Sequence, residues 1–207
     1  MSKGTLILLK TLTWIACLAP ALWLAWGAAT NTLGPDATAA LAFGTGLTTL
    51  RLLAISLAIT PLRRLVPRLN WLIKFRRLLG LFAFFYATLH MLVWVALYSG
   101  FDVNAMEADV LKRRFITAGM LTWLLLLPLA ATSTNWAIRK LGGKNWNRLH
   151  KLVYLAIVCG VVHYWWQVKT GVLTPLPMTV VVTLLLLMRP VLALLQRRKA
   201  RAVTAGA

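Results

Sequence analysis

Apolar residues in this chain come in long blocks, and the charged residues gather between the blocks. Six blocks stand out, at about 12–29, 46–62, 78–98, 115–132, 149–166 and 176–195. Most approach the ~20 residues an α-helix needs to cross a hydrocarbon layer. In lipid the backbone finds no water to bond, so apolar blocks of this length predict helices. The blocks at 46–62 and 149–166 are short, and their flanking basic residues are expected to snorkel to the membrane surface. The predicted fold is an all-α integral membrane protein: a bundle of about six transmembrane helices forming a single domain over 1–207. Spans and short loops use the whole length, so no separate soluble domain is expected. The first block carries Trp14, Pro20, Trp23 and Trp26, is too long for a signal-peptide core and lacks a clear small-residue cleavage site. It is expected to be a retained helix.

The polar segments set the orientation. Before the first block stand Lys3 and Lys10. Between the second and third blocks stand Arg63, Arg64, Arg68, Lys74, Arg76 and Arg77, and between the fourth and fifth Arg139, Lys140, Lys144, Arg148 and Lys151. The tail adds Arg197, Arg198, Lys199 and Arg201. The opposite connections hold Lys112, Arg113, Arg114 and Lys169, together with all four acids, Asp36, Asp102, Glu107 and Asp109. The positive-inside rule then places both termini in the cytoplasm, which an even number of spans allows. Topology also accounts for the net charge of +19, which in a soluble chain would point to nucleic acid; no nucleic-acid partner is expected. Hydrophobic residues make up 60% and charged residues 13%, a balance that suits lipid rather than water as solvent. Cys17 and Cys159 lie inside apolar blocks, outside any CxxC or Cys/His cluster, and are expected to be core residues. The ten tryptophans cluster near block ends, as in an interfacial aromatic belt.

Three histidines carry the candidate chemistry. His90 lies 12 residues into the third block, ~18 Å from its start at 1.5 Å per residue. His163 follows His150 by 13 residues, hence ~20 Å further along the fifth block. Both blocks run outward, so His90 and His163 are expected at similar depth on parallel helices. A lone intramembrane histidine is read as a hydrogen-bonded core residue. Two at matched depth suit a heme, each supplying an imidazole lone pair to one face of the iron. No carboxylate lies near them in sequence, which argues against a proton relay or a Ser/His/Asp site. His150 stands at the cytoplasmic edge with no second histidine at its depth, opposite Arg76 and Arg77. Arg76 suits a heme propionate, a flavin phosphate or a lipid phosphate; as an iron ligand it is poor, because it stays protonated. In a straight helix His150 and His163 point ~140° apart, so they face one cleft only if the helix is distorted, with Gly160 the candidate place, or else serve different sites. Arg51, inside the second block, has two readings: a partner for a heme propionate, or a contact with outer lipid headgroups. Arg189, near the cytoplasmic end of the sixth block, is expected to snorkel.

These residues fall in a recognisable order. The stretches Ile59-Thr60-Pro61-Leu62, Arg76-Arg77-Leu78-Leu79-Gly80, Ala87-Thr88-Leu89-His90 and Thr132-Ser133-Thr134 are followed by Trp146 and by Leu149-His150-Lys151-Leu152-Val153-Tyr154. His163-Tyr164-Trp165 and Val168-Lys169 complete the series. In that order and spacing the chain resembles the MsrQ family, within the ferric-reductase-like transmembrane class, over nearly its whole length. The resemblance implies a multi-pass protein of the bacterial inner membrane binding heme b, one or two per chain, through His90, His150 and His163. It implies electrons drawn from the quinone pool, with flavin mononucleotide (FMN) as a further cofactor. It also implies a periplasmic molybdopterin partner, which rather than this chain reduces methionine sulfoxide in oxidised proteins. The four-histidine members of the wider class have a second histidine on the third span, which this chain lacks. Arg51, Arg76 and Arg77 are the candidates for propionates or a second site.

Two other function classes fit the residues less fully. One is a free-standing ferric or quinone reductase on the same scaffold. The other is a non-redox membrane protein such as a small transporter or an assembly factor. No nicotinamide-binding motif stands in the chain, so a lipid-soluble or external electron donor is expected.

Overall fold

The computed structural model describes residues 2–168, 171 and 173–205, the last ten of them by backbone alone. Lys169, expected on the outer side, lies outside the described residues, as do the side chains of Arg197, Arg198, Lys199 and Arg201. The elements in chain order are α1 (Lys3–Ala29), α2 (Ala37–Leu65), a 3₁₀ segment (Pro67–Phe75) and α3 (Arg76–Val93). A wide π turn (Trp94–Tyr98), α4 (Val103–Lys112), α5 (Arg114–Ala131), α6 (Asn135–Leu141), α7 (Gly143–Leu149), α8 (Leu152–Gln167) and α9 (Leu176–Ala205) follow. Among the described residues six segments are long and apolar enough to cross a membrane, which makes this a multi-pass membrane protein.

Several of the expected spans extend beyond their apolar blocks, the first two among them. The first begins at Lys3. The second begins at Ala37, not near residue 46, and is 29 residues long, so it needs no snorkelling to span. Its first turn, Ala37-Thr38-Ala39-Ala40, is small and weakly apolar, with Leu41 and Phe43 following, and the Asp36 carboxylate starts it by accepting from the Ala39 N–H at 2.8 Å.

Contacts between helices fix their register. Trp14 meets Phe82, and Tyr86 reaches Cys17 and Ala21, so α1 runs parallel to α3. Ser56 reaches Arg76 while Thr45 meets His90, so α2 and α3 are antiparallel. Phe115 meets His163 and Thr132 meets His150, so α5 and α8 are antiparallel. The closest packing joins α2 to α3 and α5 to α8, and these four helices form the core. One end of the bundle gathers Asp36, α4 and the start of α5; the other gathers Arg64, Arg76, α6, α7 and Arg189. The start of α1 and the later turns of α9 share this second end. Outward from the core, α1 and α9 show large apolar side chains such as Leu22, Trp23, Leu184 and Leu187. Lipid, not water, is the solvent that suits such a surface.

At two prolines inside spans, Pro20 and Pro61, a side chain from a neighbouring helix bonds backbone that the helix ladder leaves open. Near Pro20 the fully buried Tyr86 hydroxyl sits inside the α1 ladder, donating to Cys17 O at 2.6 Å and accepting from Ala21 N at 2.9 Å. Pro61 has no N–H for the carbonyl of Leu57, four residues back, and Arg189 Nη2 bonds that carbonyl at 2.8 Å. Arg189 is therefore half-buried and engaged with the protein rather than snorkelling free. Cys17 is buried in the core and Cys159 half-buried; both are free thiols.

Candidate functional site

The four core helices leave a cavity of about 290 Å³ toward the end that carries the acids. Leu47 and Leu50 of α2, Met91 of α3, and Met120 and Trp123 of α5 make apolar walls. Arg113, Gln167 and Tyr98 stand among its polar lining residues. Into this space α3 brings His90 and α8 brings His163, with ring centroids 5.7 Å apart and planes at 82°. The matched depth expected from sequence is realised in space.

Each ring is held by a backbone carbonyl. His90 Nδ1 lies 2.9 Å from Ala42 O and His163 Nδ1 lies 2.6 Å from Phe115 O. A carbonyl only accepts, so in both rings the proton sits on Nδ1 and Nε2 keeps its lone pair. Thr45 Oγ1, 3.4 Å from His90 Nδ1, donates its own proton to Leu41 O and leaves this tautomer unchanged. That arrangement is the outer-shell support that orients metal-ligating histidines.

Two glycines make room for the rings. A Cβ on Gly46 of α2 would sit 3.1 Å from His90 Cε1 and Nδ1. A Cβ on Gly119 of α5 would sit 2.8 Å from His163 Nδ1 and 2.9 Å from Cε1. In the sequence Gly44 and Gly46 are too few for a phosphate loop and Gly119 is an isolated glycine in an apolar helix, with nothing to say which histidine either helix faces. Gly160 is not a point of distortion: α8 runs unbroken through it, and its missing Cβ admits Leu50 and Thr122. The break falls instead at His150 and Lys151, between α7 and α8.

His150 is not brought to the cavity. It lies at the opposite end, stacked on Trp146 at 3.8 Å, with Nε2 at 3.2 Å from Thr132 Oγ1. The Thr132 hydroxyl donates to Pro128 O at 2.6 Å, so His150 Nε2 is the donor toward it and Nδ1 keeps the lone pair. Arg76 is close enough to act on His150 electrostatically. Arg77 donates to Asn135 Oδ1 at 2.8 Å on the surface. Arg51 stands on an exposed face of α2, off the cavity lining. Arg113, paired at 3.0 Å with Asp109, is the cation that lines the cavity, and sequence reading counted it only as an outer-side charge.

The donor set can be tested against a heme. Among the described residues no three His, Cys, Asp or Glu side chains cluster to hold a bare metal ion. Two imidazoles are too few for a bare ion, whereas a heme would bring its remaining nitrogen ligands with it. Metal–imidazole bonds of ~2.0–2.1 Å on two faces of one ion put facing ring centroids about 6 Å apart, close to the observed spacing. Apolar walls, free Nε2 atoms and a cation in the lining fit that group.

The ferric reductase like transmembrane component family matches residues 43–161. A protein-methionine-sulfoxide reductase heme-binding subunit MsrQ from Herminiimonas arsenicoxydans is 46% identical over 98% of this chain and 93% of its own length. MsrQ proteins of Ralstonia nicotianae (48% identical over 76% of this chain and 72% of the relative) and Caulobacter vibrioides (45% over 86% and 84%) are similar too. No solved structure matches the chain. The matched region holds both histidine-bearing helices up to residue 161, and the relatives extend the likeness past His163, so the chain belongs to the ferric-reductase-like transmembrane family and, within it, to the MsrQ family.

Proposed function

We propose that this protein is the heme-binding, electron-carrying membrane subunit of a protein-methionine-sulfoxide reductase system. The observation that carries the reading is the His90–His163 pair: two imidazoles 5.7 Å apart in an apolar cavity, each with its Nδ1 proton committed to a carbonyl and its Nε2 free. The names of the MsrQ relatives support the group and the system. His90 and His163 would hold a b-type heme through Nε2. Bound there, the group would supply one-electron chemistry in a low-dielectric surround.

The chain's own residues do the positioning. Ala42 and Phe115 carbonyls fix both tautomers and ring planes. Gly46 and Gly119 leave the rings their space. Arg113 is the cation offered to a carboxylate of the bound group, while Arg51, on an exposed face, suits lipid headgroups. His150 serves the opposite end, where a second group would have to compete with its Thr132 hydrogen bond or use Nδ1.

The orientation belongs to the same reading. The basic end, with both termini, faces the cytoplasm of an inner membrane, and the cavity lies toward the periplasm. Electrons would enter from the quinone pool, with FMN as a further cofactor, and leave to a periplasmic molybdopterin subunit that reduces methionine sulfoxide. The test is the visible spectrum of the purified protein, oxidised and reduced, for wild type and for His90→Ala and His163→Ala. The expected result is a Soret band in wild type that is lost or severely reduced in both variants. Full heme retention in both would refute the ligand assignment. Deleting the partner subunit should abolish sulfoxide repair and leave heme reduction intact; retained repair would point to a free-standing reductase instead.

A further inference from the structure

The opposite end of the bundle holds a second pocket, of about 420 Å³, between α2, α8 and α9. Thr60 and Arg64 of α2, Tyr154 of α8, and Leu186, Arg189 and Ala193 of α9 line it. Gly46, beside the histidine cavity, precedes Thr60 by 14 residues on α2, so the two spaces are ~21 Å apart along the helix.

The pocket is rich in uncompensated positive charge. Arg189 lies over the Tyr154 ring at 4.8 Å and donates to the Tyr154 hydroxyl and to Leu57 O. Both partners are neutral. Arg64 and Arg76 lie near enough to act on Arg189 electrostatically, and both carry the same sign. The four acidic side chains of the chain are Asp36, Asp102, Glu107 and Asp109, all at the other end of the bundle. On the pocket wall Arg189 Nε and the Thr60 hydroxyl are buried without a hydrogen-bond partner among the described residues. Guanidinium groups gathered beside apolar residues repel one another and are poorly solvated, so the arrangement calls for an anion.

We propose that this pocket binds a phosphate group, gripped by Arg64 and Arg189, with Tyr154 and Thr60 as neutral hydrogen-bonding neighbours. A guanidinium fork matches phosphate oxygens in a way a point charge does not. The α9 wall of Leu186 and Ala193 offers an apolar lane beside the phosphate seat. Phosphate of this kind has two sources, an anionic phospholipid headgroup or a soluble phosphomonoester. Basic pockets between helices at a membrane's cytoplasmic face are suited to the first.

The test uses the purified full-length protein in neutral detergent and follows its thermal midpoint by tryptophan fluorescence. The probes are short-chain phosphatidylglycerol against diacylglycerol of equal chain length, and flavin mononucleotide against riboflavin. A phosphate-bearing anionic probe is expected to raise the midpoint of wild type while its control does not. Response to phosphatidylglycerol identifies the lipid source, and response to flavin mononucleotide the soluble one. Arg64→Gln and Arg189→Gln should each weaken apparent affinity about tenfold or more, since each removes a charge-assisted bond. Lys144→Gln, an exposed cation at the same end but outside the pocket, should leave affinity unchanged. No midpoint shift in wild type with either anionic probe would overturn the proposal, as would equal affinity in wild type and Arg64→Gln. Arg64 is exposed, so its variant decides the matter even where Arg189→Gln fails to fold. The Soret band of the distant histidine site, expected unchanged in Arg64→Gln, keeps this outcome separate from the heme assignment.

Discussion

Replacing Gly119 by alanine tests whether the seat behind His163 matters to the site. The added methyl would stand 2.8 Å from His163 Nδ1 and 2.9 Å from Cε1, distances that atoms in contact do not sustain. The ring must move by about half an ångström, and its Nδ1 is held at 2.6 Å by Phe115 O. Overpacking of this kind costs ~1–3 kcal/mol. Losing or stretching the carbonyl bond adds about 1 kcal/mol. Only the part that differs between heme-bound and heme-free protein weakens binding; taking it as about 2 kcal/mol gives roughly 30-fold. That falls within the ~10–100-fold expected for disturbing an outer-shell partner of a ligating histidine. Titrating the heme-free protein with hemin and reading the Soret band measures it, with circular dichroism to show that the helices persist. Gly80→Ala is the matched control: it is also a glycine in a helix, but its Cβ would meet nothing within 4 Å. Helix propensity there favours alanine, so Gly80→Ala should bind heme as wild type does. Wild-type hemin affinity in Gly119→Ala would refute the argument that α5 shapes the His163 seat.

Tyr86→Phe removes the hydroxyl lodged between Cys17 O and Ala21 N and should destabilise the protein by about 1 kcal/mol, read as a lowered thermal midpoint. An unchanged midpoint would mean that the Pro20 gap needs no side chain to fill it. His150→Ala should leave at least one heme in place, because His150 lies away from the cavity; complete loss of absorbance would refute separate sites. Alkaline phosphatase fused after the tail should be inactive, and fused within 103–112 active, if the basic end is cytoplasmic. The reverse pattern would invert the orientation.

The lengths of the spans show where apolar patterning works and where it stops. The block at 115–132 lies within a residue of α5, because Arg114 and the Thr132–Thr134 stretch bound it in composition as well as in structure. At the start of α2 the stretch Ala37–Thr45 sets Leu41 and Phe43 among alanines, threonines and a glycine, so a block drawn from residue 46 starts late although the helix is complete. Membrane residence, six spans and the histidines' common depth were legible in sequence, because each depends on distance along the chain, and helix rise is constant.

Rotation about each helix axis is another matter. It is set by packing against neighbours distant in sequence, and no local periodicity marks it when every face of a helix is apolar. So Gly119 facing His163, Ala42 and Phe115 carbonyls choosing the tautomers, and Arg113 rather than Arg51 lining the cavity became visible only with the helices assembled. The same holds for Arg189, whose place follows from a carbonyl that Pro61, 128 residues earlier, leaves without a partner. Depth in the bilayer is written along one strand of text; direction around an axis exists only once other helices stand beside it.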